Sequence, residues 1–520
     1  MAPVPVPDLG YKPTIGAAIK QAAALYGDRD FIVLPDRRLS FAEAERASGA
    51  LAKRMLVAGI GKGTRVGLLY TYSTEWVVVW LAASRIGAVV MPFSTIYAPG
   101  ELRTVLRLGD VAVLVLGPTM LGHDMAEFME DAVPPLRQAA GPELFIEELP
   151  YLREIWMTGA TDRAWARQVP LTDEAEDLKV SDSLLAAVEE DVVPADLATV
   201  VYTSGSSALP KGVMHTHSSI MRTTAGFAAM VPEENHVIFC AFPFFWIGGF
   251  LVLGGALNAG LTVCCLEKFE PRAALDMVEQ ERCSMVSAWP SLIQSMRTHP
   301  SFAGRHLEHC AMLVSGPSDV ALVDTPVPGI PGHRGMSETV GNWHGVERKI
   351  IDPETGQELA EKEEGELCIR GYGVTQGYYK KEREEVFDAD GWLHTGDRCV
   401  MVDNRPFFVG RFYEMVKTRG ANVSPREVEL VLEGFSEIAH AFVFGLPHPE
   451  MEEEVTAVIV PAPGAALDAE SIRARARKEL SSYKVPTRIE ILTDEREVPW
   501  LGSGKPDKLA LKARFATRAG

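Results

Sequence analysis

The sequence predicts an α/β protein. A large N-terminal domain of parallel sheets covered by helices, with a β-barrel-like subdomain, precedes a small α+β domain. Three observations carry this. Strand-like and helix-like stretches alternate at short spacing from Thr14 to Leu116, as expected for parallel sheet with covering helices. A β-rich region begins at Glu364. At 520 residues the chain exceeds a single core, and a second helix–strand–strand–helix pattern restarts after Arg411. The expected division is 1–411 and 412–520.

The elements follow in order. Thr14 caps a helix to Tyr26, and Phe31 to Leu34 is a strand closed by Pro35-Asp36. Ser40 and Glu43 have capping-box spacing, opening a helix that ends near Gly59. Strands at Val66–Tyr70, Ala88–Met91 and Val111–Leu116 alternate with helices at Thr74–Ile86 and Pro99–Leu108. Gly61-Lys62-Gly63 precedes a strand instead of following one, so it reads as a turn and not a dinucleotide fingerprint. From Gly117 to Val193 the pattern dissolves into acidic and Pro-containing loops. In the C-terminal part, Pro425–Leu432 and Ser471–Leu480 read as helices, and Ala441–Gly445 and Val455–Val460 as strands.

Composition narrows the function. Hydrophobic residues at 47% and charged residues at 23% suit a soluble enzyme, and a formal charge of −19 argues against a nucleic-acid partner. Any site for an anionic substrate therefore needs locally placed Lys and Arg. Seven Cys, with Cys264-Cys265 adjacent and no C-x-x-C, give neither a disulfide frame nor a zinc site, which suits a reducing compartment. His306 and His309 read as a solvated helix face, and His215-Thr216-His217 as loop polarity. The Pro-broken N-terminus lacks a secretory signal, so the expected location is cytoplasmic. Val237 to Leu266 carries no charge, but Pro243 and several glycines break it into strand, loop, short helix and strand, not a membrane span.

The chemistry concentrates in Val200 to Val213. A buried strand end runs into Thr203, Ser204, Gly205, Ser206 and Ser207, then Pro210-Lys211-Gly212. Small residues let backbone N–H groups converge on an anion, hydroxyls add donors and Lys211 adds charge. It is not the usual nucleotide P-loop, because Pro210 stands where Gly is needed and Gly212 where Ser or Thr is needed.

This loop resembles that of the adenylate-forming superfamily: acyl-CoA synthetases, adenylation domains of peptide synthetases and luciferases. Ala208 replaces the family's second glycine. The resemblance extends in order along the chain. It assigns Phe245, Trp246 and Gly248 to the acyl pocket, with the Trp246 ring in the wall, and Ser315, Gly316 and Pro317 to a turn along adenine and acyl group. In Arg334-Gly335-Met336-Ser337-Glu338, Arg334 replaces an aromatic that stacks on adenine. Ser337 would stand near the α-phosphate, and Glu338 would hold Mg²⁺. Asp397, in Gly391-Trp392-Leu393-His394-Thr395-Gly396-Asp397, would bind the ribose hydroxyls, and that segment reads as hairpin turn, strand and turn. Arg411 would reach ribose and phosphate, with Tyr413 replacing the usual polar hinge residue. Lys505 is the match to the catalytic lysine of the first step, and the resemblance implies that the small C-terminal domain is mobile, swinging the face around Lys417 and Gly420 to the site for the second.

The resemblance implies a small-molecule carboxylic acid, ATP, Mg²⁺ and coenzyme A: an acyl-adenylate and pyrophosphate form, then a thioester. The wall at Phe244, Phe245, Trp246 and Ile247 points to a hydrophobic acid, fatty, aryl or alicyclic including steroid-derived. CoA is preferred as acceptor because no carrier domain follows Gly520. The alternatives are an adenylation enzyme loading a separate carrier and a weakly catalytic nucleotide-binding homologue. A membrane-anchored transporter would need Val237–Leu266 to span. A homodimer is compatible with the sequence.

Overall fold

The computed structural model describes residues 6–171, 179–203, 209–228, 237–315, 325–330, 334–337, 345–411, 415–493, 495–499 and 508–516. Two mainly parallel sheets form the N-terminal part. One has the strand order Met285–Ser287, Val237–Cys240, Thr262–Cys264, Asp30–Val33, Arg38–Ser40, antiparallel only at the last pair. The other runs Lys211–Thr216, Leu197–Thr203, Val89–Pro92, Arg65–Leu69, Val113–Leu116, Glu154–Met157, Ala166–Gln168, antiparallel only at the first pair.

Helices lie in one shared core with both sheets. Thr74–Arg85 is buried from Trp76 onward, and Ile247–Ala259 over most of Gly249 to Leu257, as a helix with Asn258 as its one polar side chain must be. Their Trp76, Trp80 and Phe250 rings meet edge-on or tilted at 5.7 to 5.9 Å. Gly254 has no side chain because a Cβ there would strike Thr224 of the helix His217–Ala228. Arg85 is buried at the end of its helix and donates to Glu45 and Glu189.

Local signals are realised where they were strongest. Thr14 and Ser40 cap their helices, Ser40 through a complete capping box with Glu43, and Pro99 opens the helix Pro99–Leu108. The region from Gly117 to Val193 contains structure that its composition does not announce. The strands Glu154–Met157 and Ala166–Gln168 extend the large sheet, and helices cover Met125–Ala132 and Asp182–Asp191. Val237 to Leu266 is strand, turn, helix and strand, and no described helix is long and apolar enough to cross a membrane. All seven cysteines are buried.

The β-rich region is a six-stranded antiparallel sheet, in the order Thr325–Pro326, Arg334–Ser337, Arg405–Arg411, Leu393–Val402, Glu364–Arg370, Glu347–Ile351. The C-terminal lobe is built on the long hairpin Ile438–His448 and Glu452–Pro461. Alternation along its strands separates two faces. Ala441 and Val443 pack with Val428, Leu432 and Ile472 of the helices Pro425–Glu433 and Ala469–Glu479. Phe442, Phe444 and Leu446 pack with Leu511 and Phe515 of Lys508–Ala516.

Two histidine readings need correction. His215 and Thr216 belong to a strand, and His217, itself buried, opens the next helix, where its Nδ1 accepts the Ile15 N–H at 3.3 Å. His306 and His309 lie in a non-helical connection, with His309 Nε2 3.0 Å from the Val278 carbonyl.

Candidate active site

The hairpin that leads into the hydroxyl-rich loop is anchored on both sides. Strand Leu197–Thr203 runs parallel to Val89–Pro92, and Thr199 Oγ1 donates to the Val90 carbonyl at 2.7 Å. Its exit, Thr203, is therefore at the carboxyl end of a strand in a parallel sheet, where α/β proteins bind ligands. Thr203 and Lys211 are direct partners across the hairpin. Gly212 is required by packing, since a Cβ would meet Val200 Cγ1 at 2.8 Å. On the outer side, Tyr379 N–H donates to the Gly212 carbonyl at 2.7 Å and Met214 N–H to Gly377 at 3.1 Å. The Lys211 ammonium lies 5.1 Å from the Tyr378 ring centre. The β-rich region thus docks directly on the strand that follows the loop.

Three assigned positions fall on three adjacent strands of that region. Ser337 pairs with Phe407, and Asp397 pairs with Arg411, so the strand Arg405–Arg411 carries one neighbour on each side. Asp397 lies within the long strand Leu393–Val402, and not in a turn after it, which corrects the sequence reading. A local irregularity stands in for the turn: Gly396 has φ 72°, and the register shifts between Glu366 and Cys368.

That irregularity is held by groups the sequence did not single out. Glu366 accepts the Gly396 N–H at 2.9 Å through one oxygen and pairs with His394 Nδ1 at 3.1 Å through the other. Thr395 Oγ1 accepts the Asp397 N–H at 3.1 Å and donates to the Leu367 carbonyl at 2.8 Å. Asp388 stands 3.5 Å from His394 Nε2. Cys368 Sγ lies 3.7 Å from His394 Nδ1, and burial pushes its thiol up to about 12. His394 lies inside the Gly391–Asp397 motif and Glu366 at the start of the β-rich region, but only the cross-strand pairing shows what they hold.

The aromatic segment divides. Phe244 is core, packed on Tyr72 at 5.1 Å and Trp76 at 5.4 Å, and so is withdrawn from the expected wall, while Ile247 is 54% exposed. The irregular 241–246 segment sets no alternation from which this could be read. Phe245 and Trp246 remain together, ring centres 5.5 Å apart. Trp289, which the sequence reading missed, joins Trp246 at 5.9 Å and Phe242 at 4.9 Å, both edge-on. Gly248 packs on Phe242, and a Cβ on Gly249 would strike the Pro243 and Phe244 backbone.

The C-terminal lobe reaches this site with a small hairpin, Val416–Thr418 and Ala421–Val423. Lys417 holds its ammonium 4.9 Å from the centre of Phe408, beside the Ser337–Phe407 pair. Gly420, at φ 78°, turns the tip so closely that a Cβ would lie 3.9 Å from Trp289 Cγ. Ser315 is exposed at the end of helix Ala311–Val314, and Arg334, Gly335 and Met336 share a strand with Ser337. Ser204, Gly205, Ser206, Ser207, Ala208, Gly316, Pro317, Glu338, Tyr413 and Lys505 lie outside the described residues.

The family model described as AMP-binding enzyme matches residues 19–328 and 316–379, spanning both parallel sheets and entering the β-rich region. The chain belongs to the AMP-binding enzyme family. The model described as AMP-binding enzyme C-terminal domain matches residues 427–505. The chain is 29% identical to 4-coumarate–CoA ligase 1 of Oryza sativa subsp. japonica, covering 90% of this chain and 86% of that protein. It is 27% identical to the (7a-methyl-1,5-dioxo-octahydro-1H-inden-4-yl)propanoyl:CoA ligase of Mycobacterium tuberculosis, over 96% and 98% of the two chains. Its fold is that of the amide bond synthetase McbA from Marinactinospora thermotolerans, with TM-score 0.75, 23% identity, and coverage of 96% and 99%. As an AMP-binding enzyme, the chain keeps the family's α/β architecture with its small C-terminal lobe.

Proposed function

We propose that this AMP-binding enzyme is an acid–thiol ligase. It activates a hydrophobic carboxylic acid with ATP as the acyl-adenylate, releases pyrophosphate, and passes the acyl group to coenzyme A. The observation that supports this most is the gathering of Ser337, Asp397 and Arg411 on adjacent strands. The connection 371–392 between two strands of the same sheet docks beside the hairpin that carries Thr203 and Lys211. Relatives named for 4-coumarate and for a bicyclic propanoate support an aryl or alicyclic acid, and the rings of Phe245, Trp246 and Trp289 offer a surface for either.

A carboxylate and a triphosphate repel, so cations and N–H donors must screen both while holding an in-line approach at the α-phosphorus. Thr203, Ser204, Gly205, Ser206 and Ser207 with Lys211 cradle the departing pyrophosphate. Ser337 stands at the α-phosphate, Asp397 takes the ribose hydroxyls and Arg411 spans ribose and phosphate. Ser315, Gly316 and Pro317 with Arg334, Gly335 and Met336 border the adenine. Glu338, next in the chain after Ser337, is the carboxylate for Mg²⁺, which supplies charge neutralisation on the triphosphate when bound. Lys505 bridges carboxylate and phosphate oxygens as charge develops between them. We divide the chain at 411/412, and a swing there brings the Lys417–Gly420 hairpin to the site for thiol attack.

The test is an acid panel of aryl, alicyclic and fatty acids with ATP, Mg²⁺ and CoA, read by product mass. Acyl-CoA from a hydrophobic class, with acetate inert, is the expected result. Adenylate or thioester from none of the hydrophobic acids overturns the reading.

A further inference from the structure

Away from these groups, a buried cation joins the two lobes. Lys484, in the turn after helix Ala469–Glu479, is 2% exposed. Its ammonium donates to Glu101 Oε1 at 2.7 Å and to Glu427 Oε1 at 2.7 Å. Glu427 belongs to the C-terminal lobe, in the first turn of helix Pro425–Glu433. Glu101 belongs to the N-terminal part, in the first turn of helix Pro99–Leu108.

The second oxygen of Glu101 accepts the Ala98 N–H at 2.9 Å and the Ser481 hydroxyl. One carboxylate therefore caps its own helix and receives two donors from the other lobe. Tyr97 and Tyr483 border the pair, and burial raises both hydroxyls above their ordinary range. Contact is close enough that a Cβ on Gly100 would collide with the Glu479 carboxylate. Arg103 adds a looser approach to Glu479 at 4.0 Å.

Desolvated charges hold only while paired, and removing one partner leaves the other buried without compensation. The pair is also specific to orientation: Glu427 and Ser481 travel with Lys484, whereas Glu101 does not. A swing of the C-terminal lobe parts Glu101 from both donors and returns it to water. The same lobe arrangement sets Gly420 against Trp289 and Lys417 over Phe408.

We infer that Glu101 is a positioning residue: with Lys484 and Ser481 it latches the lobes in the arrangement that presents the Lys417–Gly420 hairpin, favouring thioester formation over adenylation. The kinetic consequence rests on the two-step ligase reading; the latching of the lobes does not. Neither step uses Glu101 as a contact to substrate. Its effect is on the population of one arrangement.

Because all seven native cysteines are buried, spin labels on Glu127→Cys and Glu450→Cys, both exposed positions, report the interlobe distance without any substrate. The parent should show one dominant distance. Glu101→Gln keeps an acceptor for Ala98 and removes the charge pair, and should broaden or shift the distribution; Lys484→Met should do the same from the other side. With a panel acid that is turned over, Glu101→Gln should leave pyrophosphate release without CoA within about twofold of the parent. Transfer of preformed acyl-adenylate to CoA should slow about tenfold or more. Unchanged distances in whichever variants keep the parent's circular dichroism, or equal slowing of both half-reactions, overturns the latch. If no acid is turned over the ligase reading fails, and the distances alone decide the latch.

Discussion

Asp397 and Arg411 face each other as direct partners across an antiparallel ladder, at the point where Gly396 breaks the regular twist of its strand. An acid and a base assigned to one nucleotide are thus fixed relative to each other by main-chain pairing. Hydrogen bonds that a carboxylate accepts from hydroxyls contribute about 1.5–3 kcal/mol. Asp397→Asn should therefore raise the KM for ATP by about 10- to 100-fold with the thermal midpoint unchanged. Pyrophosphate release at varied ATP measures this, and an unaltered KM removes Asp397 from the site.

Trp246 and Trp289 form a second fixed pair, with ring centres 5.9 Å apart and planes at 71°. Trimming either to Ala opens the wall and forfeits about 0.5–1.5 kcal/mol of ring contact. The ratio of kcat/KM between a bulky alicyclic acid and a slim aryl acid should move toward the bulky one in both variants. A uniform fall across the acids would mean that the rings support structure only.

Lys505 is assigned to the first step alone. Replacing it with Ala should cut pyrophosphate release by about 10²-fold, the scale of losing one preorganised donor. Thioester formation from preformed acyl-adenylate should persist. Wild-type pyrophosphate release in the variant would end that assignment.

His217 supplies a pH dependence that is separate from catalysis. Burial lowers its pKa from 6.5 to about 4, with Nδ1 engaged by Ile15 and Nε2 without a partner among the described residues. The unfolded chain binds this proton more readily than the native one. Its stabilising contribution is therefore complete above pH 6.5 and is lost as pH falls toward about 4. His217→Asn retains an acceptor and cannot titrate, so its melting temperature should fall less steeply over that window. Parallel profiles for parent and variant would contradict this.

What was legible in the sequence was local or ordered chemistry. Pro99 at a first helical position, the Ser40–Glu43 box and the breakers between Val237 and Leu266 each act within a few residues, and the structure realises them. The hydroxyl loop and Asp397 were legible as motifs. Other features depend on partners far away in the chain. Strand Glu154–Met157 exists because Val113–Leu116 pairs with it, and Phe244 is core because Trp76 receives it. Glu101 meets Lys484 across 383 positions, and nothing near Glu101 beyond its helix-start setting signals a partner. The buried His217 was misread because a polar triplet looks alike in a loop and at a capped strand–helix junction.

In the proposed reaction ATP is split between the α- and β-phosphates, with an acid as acceptor. Phosphorus NMR of ATP incubated with the protein, Mg²⁺ and the acid panel, before and after CoA is added, tests it most directly. Pyrophosphate and an acyl-adenylate signal should appear first, then AMP once CoA is present. ADP with inorganic phosphate, or intact ATP with all acids, would contradict it.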